Sequence, residues 1–318
     1  MNDHFIKNIE IKNFKCFQNF KAEGFGRVNL IGGKNNVGKT AFMEAVYVNV
    51  HSESIEHLTY ALYACTHSRN YLEYVNNKEP SVKKVLDTIQ FYESESNLKT
   101  VKFKVISIDA KKTYKFFDGI EINKNEFSED YKYADNIEFI DNFGFTNYEL
   151  KLVYEAVQIK DKEEVLYKYI NEFDKNILKF KIIGGDKPQC QKIEGDYQDL
   201  NEFGDGLKHY ISIICSLYAC VNGYLFIDEI GNGIHYTHLD TLWELILTIS
   251  KEQNVQVFAT THSKECIESY TRVAKKLGDE DITFIELGRN DANELMSIVY
   301  DFEAFRNEVE QNQEIRGW

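Results

Sequence analysis

Residues Gly33-Lys34-Asn35-Asn36-Val37-Gly38-Lys39-Thr40 spell G-x-x-x-x-G-K-T between two periodic segments. Before them, Arg27-Val28-Asn29-Leu30-Ile31 reads as a strand; after them, Thr40-Ala41-Phe42-Met43-Glu44-Ala45-Val46 reads as a helix. No other feature constrains the fold as strongly as this strand, glycine turn and helix. The glycines let the backbone curl so that the N–H groups of Gly33, Lys34, Asn35, Asn36, Val37, Gly38, Lys39, Thr40 and Ala41 face one point, and the helix adds its positive N-terminal end. Phosphate oxygens suit that point. Lys39 is placed to reach the β- and γ-phosphates of a bound nucleotide, and the Thr40 hydroxyl to ligate Mg2+.

Two further strand ends complete a site. Tyr224-Leu225-Phe226-Ile227-Asp228-Glu229 is an apolar run ending in two acids, as a central strand delivering carboxylates to its C-terminal end would be. Asp228 is the expected second Mg2+ ligand, and Glu229 the group that orients or deprotonates the attacking water. Gln256-Val257-Phe258-Ala259-Thr260-Thr261-His262-Ser263 brings His262 to the same edge, where an imidazole can contact the γ-phosphate or the water. The predicted catalytic set is therefore Lys39, Glu229 and His262, with Thr40 and Asp228 at the metal.

From Gly206 onward helix and strand alternate, with strands at 224–228, 255–260 and 282–287 and a further one near 294–299. This is the pattern of an α/β fold whose mostly parallel sheet is flanked by helices. The first residues, with Ile6, Ile9, Ile11 and Phe14, predict an N-terminal antiparallel β region. Because the phosphate loop and the regular array are far apart in sequence, one nucleotide-binding core over 1–50 and 175–318 is expected to be split by an inserted α/β lobe over 51–174. That lobe is expected to hold helices near 52–77, a hairpin over 99–122 turning near 109–112, a buried strand at 136–141, and helices near 148–158 and 163–173.

The net charge of −14 counts against non-specific DNA binding, which depends on lysine and arginine replacing counterions. DNA is a possible but not the favoured partner; the pairs Lys83-Lys84, Lys111-Lys112 and Lys275-Lys276 read as solvated. No stretch is long and apolar enough to span a membrane, and the start shows no signal-peptide pattern, so a cytoplasmic location is expected. The six cysteines lack a C-x-x-C pair and read as free, mostly buried thiols. His235 and His238 have no evident third metal ligand, and Asp279-Glu280-Asp281 reads as a solvated turn.

Together these motifs resemble the ATP-binding-cassette class of ATPases, in its soluble SMC-, RecF- and OLD-like (overcoming lysogenization defect) branch. Asn13-Phe14-Lys15-Cys16-Phe17 resembles the family's opening strand, and Phe203-Gly204-Asp205-Gly206-Leu207-Lys208 the Gly-Asp-Gly form of its signature loop. The resemblance implies an ATPase whose Gly204, Asp205 and Gly206 close over ATP held by a second copy, in a nucleotide-sandwiched homodimer or higher oligomer. Gly231-Asn232-Gly233-Ile234-His235-Tyr236 resembles the loop that signals between the two sites. Asn142 is the candidate for the glutamine-loop position, and Phe14 and Phe17 are candidates for adenine stacking that read better as core.

The insertion lacks the sustained heptads of SMC arms, and too few residues follow His262 for an OLD-type nuclease domain. The compact chain resembles small stand-alone AAA-family ATPases of bacterial anti-phage defence modules. This implies a separate effector, such as a nuclease, and Arg316-Gly317-Trp318 is a candidate anchor for it. The alternatives are a RecF-like ATP-dependent DNA-binding repair protein and a nucleotide-gated scaffold with little turnover.

Overall fold

The computed structural model describes residues 4–51, 61, 65, 100–106, 111–117, 136–142, 144–185, 187–290 and 293–311. The expected helices at 52–77 lie outside these except for Ala61 and Cys65, which are helical and buried. Lys83-Lys84, the hairpin turn at Asp109-Ala110 and the terminal Arg316-Gly317-Trp318 also lie outside.

A six-stranded sheet organises the chain. Its strands, in chain order, are β3 (Val28–Gly33), β6 (Ile137–Ile140), β10 (Tyr224–Ile227), β11 (Gln256–Thr260), β12 (Ile282–Arg289) and β13 (Leu295–Asp301). In space they run β13-β12-β3-β11-β10-β6, with every pair parallel except β12–β13. The expected α/β fold with a mostly parallel sheet is thus what forms. β1 (Asn8–Phe14) and β2 (Phe17–Glu23) make the expected N-terminal antiparallel region, and β4 (Thr100–Ile106) and β5 (Lys111–Phe117) extend it in the order β2-β1-β4-β5. Lys111 and Lys112 therefore begin a strand.

The central strands β3, β10, β11 and β12 are buried on both faces, which is why they read as continuous apolar runs, whereas the edge strand β13 alternates half-buried and exposed residues. Leu225, Ile227, Val257, Ala259, Ile282 and Phe284 point into one core. Six helices build the cover there: α2 (Asn147–Ile159), α3 (Glu163–Phe173), α4 (Asp205–Ala219), α5 (Leu239–Gln253), α6 (Lys264–Leu277) and α7 (Phe302–Glu310). The intervening Phe226, Phe258, Ile285 and Leu287 point into the other core, under α1 (Lys39–Val50) and the β1–β2 hairpin. Phe226 and Phe258 stack there with ring centroids 5.6 Å apart. Phe14 and Phe17 are buried in this second core, as their core reading anticipated.

Within the stretch 51–174, β6 joins the main sheet as an edge strand and α2 and α3 pack into the first core. α2 starts with a capping box in which the Thr146 hydroxyl accepts from Glu149 N and the Glu149 carboxylate accepts from Thr146 N. Between 175 and 200 the sequence pattern marks no strands. Three are present, β7 (Ile177–Ile183), β8 (Lys187–Lys192) and β9 (Tyr197–Asp199), in a small antiparallel sheet leading through a 3-10 turn into α4.

In Asp279-Glu280-Asp281 the solvated reading holds for Glu280 and Asp281, which are exposed, and fails for Asp279. Asp279 is buried in an ion pair with Arg27, and Asp281 Oδ1 accepts from Arg27 N at 3.0 Å, which secures the entry to β3. Lys275 and Lys276 do lie on a solvated face, paired with Glu310 at 2.9 Å and Glu244 at 2.7 Å. Cys65, Cys190, Cys215, Cys220 and Cys266 are buried free thiols, and Cys16 is exposed. Among the described residues no helix is long and apolar enough to cross a membrane.

Candidate functional site

Parallel strands all point their C-terminal ends the same way, so β3, β10 and β11 deliver three loops to one edge of the sheet. From β3 the chain turns through Gly33–Gly38 into α1. A side chain at Gly33 would put a Cβ 2.6 Å from the Leu287 carbonyl of β12, so only glycine lets the loop leave the strand this close to its neighbour. The Lys39 ammonium folds back over the loop, donating to the carbonyls of Gly33 at 3.1 Å and Lys34 at 3.2 Å. Burial pushes its pKa down, and the charges of Glu229 and Asp228 oppose that shift.

Asp228 follows β10 directly. Thr40 Oγ1 stands 3.1 Å from each of its carboxylate oxygens, although the two residues are 188 apart in sequence. Asp228 is 7 % exposed, and this burial raises its carboxyl pKa; hydrogen bonds from Thr260 and Thr40 act the other way. Glu229 then turns out of the strand with φ +53°, a left-handed conformation that is costly for a residue with a β-carbon. The turn aims its carboxylate at His262, whose Nδ1 lies 2.8 Å from Glu229 Oε2. The imidazole is well exposed and Glu229 partly so, which leaves both accessible to a ligand at the sheet edge.

Lys39, Thr40, Asp228, Glu229 and His262 are thus neighbours at one sheet edge. Thr260, the last residue of β11, is the member that sequence reasoning passed over. Its hydroxyl donates to Asp228 Oδ1 at 2.6 Å and accepts from Glu229 N at 2.8 Å. The signal was its place two residues before His262 at the end of an apolar strand, but only the strand order reveals what it touches.

The Gly204-Asp205-Gly206 segment starts α4. Gly204 and Asp205 are exposed, Gly206 is buried, and a Cβ on Gly206 would stand 2.0 Å from the Gly233 carbonyl. Its backbone therefore packs on the loop that follows Asp228-Glu229. Among the described residues no hydrogen bond joins 204–206 to the phosphate loop of the same chain. Asn232 ties the 231–234 loop to the end of β6, its Nδ2 donating to the Asn142 carbonyl at 2.8 Å. His235 Nδ1 contacts Thr237 Oγ1 at 2.9 Å, and His238 stacks on Phe173 with centroids 4.6 Å apart, so neither ring faces the other as a metal pair would.

Known proteins share this chain's sequence pattern and its fold. The chain is 28 % identical to an ATP/GTP phosphatase of Helicobacter pylori over 85 % of its own length and 89 % of that protein. It is 34 % identical to an uncharacterized protein of Methanocaldococcus jannaschii over 32 % of its own length and 89 % of that protein. In fold it is similar to an SMC head bound to the C-winged helix domain of ScpA, with TM-score 0.51 and 13 % identity over 94 % of this chain and 98 % of that one. It is equally similar to an Smc head domain with an extended coiled coil, derived from Pyrococcus furiosus and bound to the C-terminal domain of ScpA, with TM-score 0.51 and 12 % identity over 98 % and 100 % of the two chains. With residues 5–197 and 158–267 matching that family, the chain belongs to the AAA ATPase domain family, and its phosphate loop is the core of an ATPase.

Proposed function

We propose that the chain is an ATP-driven switch that works as a nucleotide-sandwiched homodimer or higher oligomer and controls a separate effector protein, such as a nuclease, in a bacterial anti-phage defence system. The observation that carries the catalytic part is the Glu229–His262 pair, 2.8 Å apart beside Asp228 and Thr40. Backbone N–H groups of the phosphate loop and the Lys39 ammonium bind the β- and γ-phosphates of ATP. Glu229 accepts a proton from the attacking water, and His262 holds the glutamate in the orientation for that transfer. The relative's name, an ATP/GTP phosphatase, supports hydrolysis of the terminal phosphate.

Thr40 and Asp228 suit Mg2+. Two adjacent oxygens of an octahedral Mg2+ site, with bonds of about 2.1 Å, stand about 3 Å apart, and Thr40 Oγ1 lies 3.1 Å from both Asp228 oxygens. When bound there, the ion supplies charge neutralisation across the β- and γ-phosphates.

The second copy enters because Gly204 and Asp205 are exposed and hydrogen-bond to nothing in the phosphate loop of their own chain. Closing them over a partner's ATP supplies N–H donors to the γ-phosphate, and hydrolysis releases them. The protein would then present an effector with two different surfaces.

Glu229→Gln tests the reading. The variant keeps ATP binding and accumulates as an ATP-bound dimer by light scattering, while turnover falls by about 100-fold or more, the usual contribution of a general base. Wild-type turnover in this variant would refute the assignment.

A further inference from the structure

We propose that Thr260 is a positioning residue for ATP hydrolysis, one hydroxyl that sets the aim of both acids at the site; this rests on the roles given above to Asp228 and Glu229. The polarity of its hydrogen bonds is forced. A backbone N–H can only donate, so at 2.8 Å from Glu229 N the Thr260 oxygen is the acceptor. Its single proton then goes to Asp228 Oδ1, 2.6 Å away, the short distance expected for a hydroxyl donating to a carboxylate.

The backbone of the same residue adds a third contact. Ile230 N donates to the Thr260 carbonyl at 3.0 Å, so two successive N–H groups, those of Glu229 and Ile230, are gripped by one residue. Those contacts hold the chain just where it leaves the strand and Glu229 takes its left-handed conformation at φ +53°. Without them, a residue with a β-carbon would relax toward a right-handed or extended backbone, swinging the Glu229 carboxylate away from His262.

Strand order explains why this residue has the task. β11 lies between β3 and β10, so its last residue sits in the gap that Asp228 must cross to reach Thr40. Thr260 is fully buried, and its hydroxyl contacts Asp228 Oδ1 and Glu229 N, so its effect on the reaction passes through those two residues. The phosphate itself remains the business of Lys39, Glu229 and His262.

The test compares Thr260→Val, which keeps shape and loses the hydroxyl, with Thr260→Ser, which keeps the hydroxyl. A hydrogen bond to a charged group corresponds to a factor of about 10 to 100 in rate. In Thr260→Val, kcat falls by about that factor, the Mg2+ concentration for half-maximal rate rises, and KM for ATP stays within about 3-fold, because the phosphate loop is untouched. Thr260→Ser restores kcat to within about 3-fold of wild type. Should Thr260→Val prove insoluble, Thr260→Ala is read in the same way.

A purely structural role would lower the melting temperature while leaving kcat per folded molecule unchanged, and that result overturns the proposal. A serine variant as slow as the valine variant does so too. An inert Glu229→Gln together with a fully active Thr260→Val would sink this inference and leave the proposed function standing. An active Glu229→Gln would sink the reading on which it rests.

Discussion

Replacing Gly206 with alanine puts two effects in opposition. Gly206 lies in the first turn of α4, where alanine is favoured over glycine by about 1 kcal/mol through helix propensity. Against this, the new methyl would stand 2.0 Å from the Gly233 carbonyl oxygen and 2.7 Å from its carbon. Both are backbone atoms, so no rotamer change relieves the contact; the helix start and the 231–234 loop must move apart by about 1 Å. Overpacking of this kind costs about 1–3 kcal/mol, and the rigid partner places it in the upper half of that range. The net loss is then about 1–2 kcal/mol, a fall of about 1.5–3 °C in melting temperature for a chain of this size.

Gly204→Ala supplies the contrast. No atom lies within 4 Å of its Cβ position, but its φ of +87° and ψ of 160° form a conformation that residues with side chains avoid. Thermal melts and steady-state ATPase assays read both variants: Gly206→Ala loses stability and turnover through the steric contact, whereas Gly204→Ala loses both through backbone strain alone, of about 1–3 kcal/mol. A Gly206→Ala protein melting within about 1 °C of wild type, with wild-type turnover, would refute the close packing of α4 on the loop after Glu229.

Two further outcomes follow from charged groups drawn away from water, the half-buried Glu138 and the buried Asp279. Burial, helped by the charge of Glu149, raises the Glu138 carboxyl pKa from 4.5 to about 7, so between those values the folded protein holds a proton that the unfolded chain has lost. Stability therefore falls as pH rises through that window; Glu138→Gln removes the effect, and its stability advantage in chemical denaturation should grow from pH 4.5 to about 7 and then level off. Asp279→Ala leaves Arg27 buried without its carboxylate, a loss of about 3–5 kcal/mol for such pairs. The lower end applies because the guanidinium keeps the Leu247 carbonyl at 3.1 Å, and urea denaturation should show the loss. ATPase activity per folded molecule should not change, since Arg27 sits at the opposite end of β3 from the phosphate loop.

Local chemistry makes the phosphate-loop edge legible from the sequence alone. The G-x-x-x-x-G-K-T turn has to follow a strand and open a helix, and an apolar run ending in Asp228-Glu229 or in Thr-Thr-His262 reads as a buried strand with a polar tip. What these runs do not carry is their order. β3, β10, β11 and β12 are all buried on both faces, so each is the same kind of apolar run, and nothing local says that β11 separates β3 from β10. The role of Thr260 is created by that order, which is why His262 was legible and Thr260 was not. Asp279 was misread for a related reason: its partner, Arg27, lies 252 residues away, and an acid beside two other acids has no local mark of burial. The β7–β9 sheet was missed because its buried residues in β7 and β8 are only Ile177, Phe180, Pro188 and Cys190, while the apolar Leu178 and Ile183 are exposed among lysines and glutamines and break the alternation. Sequence motifs thus marked the groups proposed to do chemistry, while the contacts that hold them came from strand neighbours far apart in the chain. It follows that substitutions at such neighbours, Thr260 first among them, should disturb catalysis at positions where no motif would lead one to look.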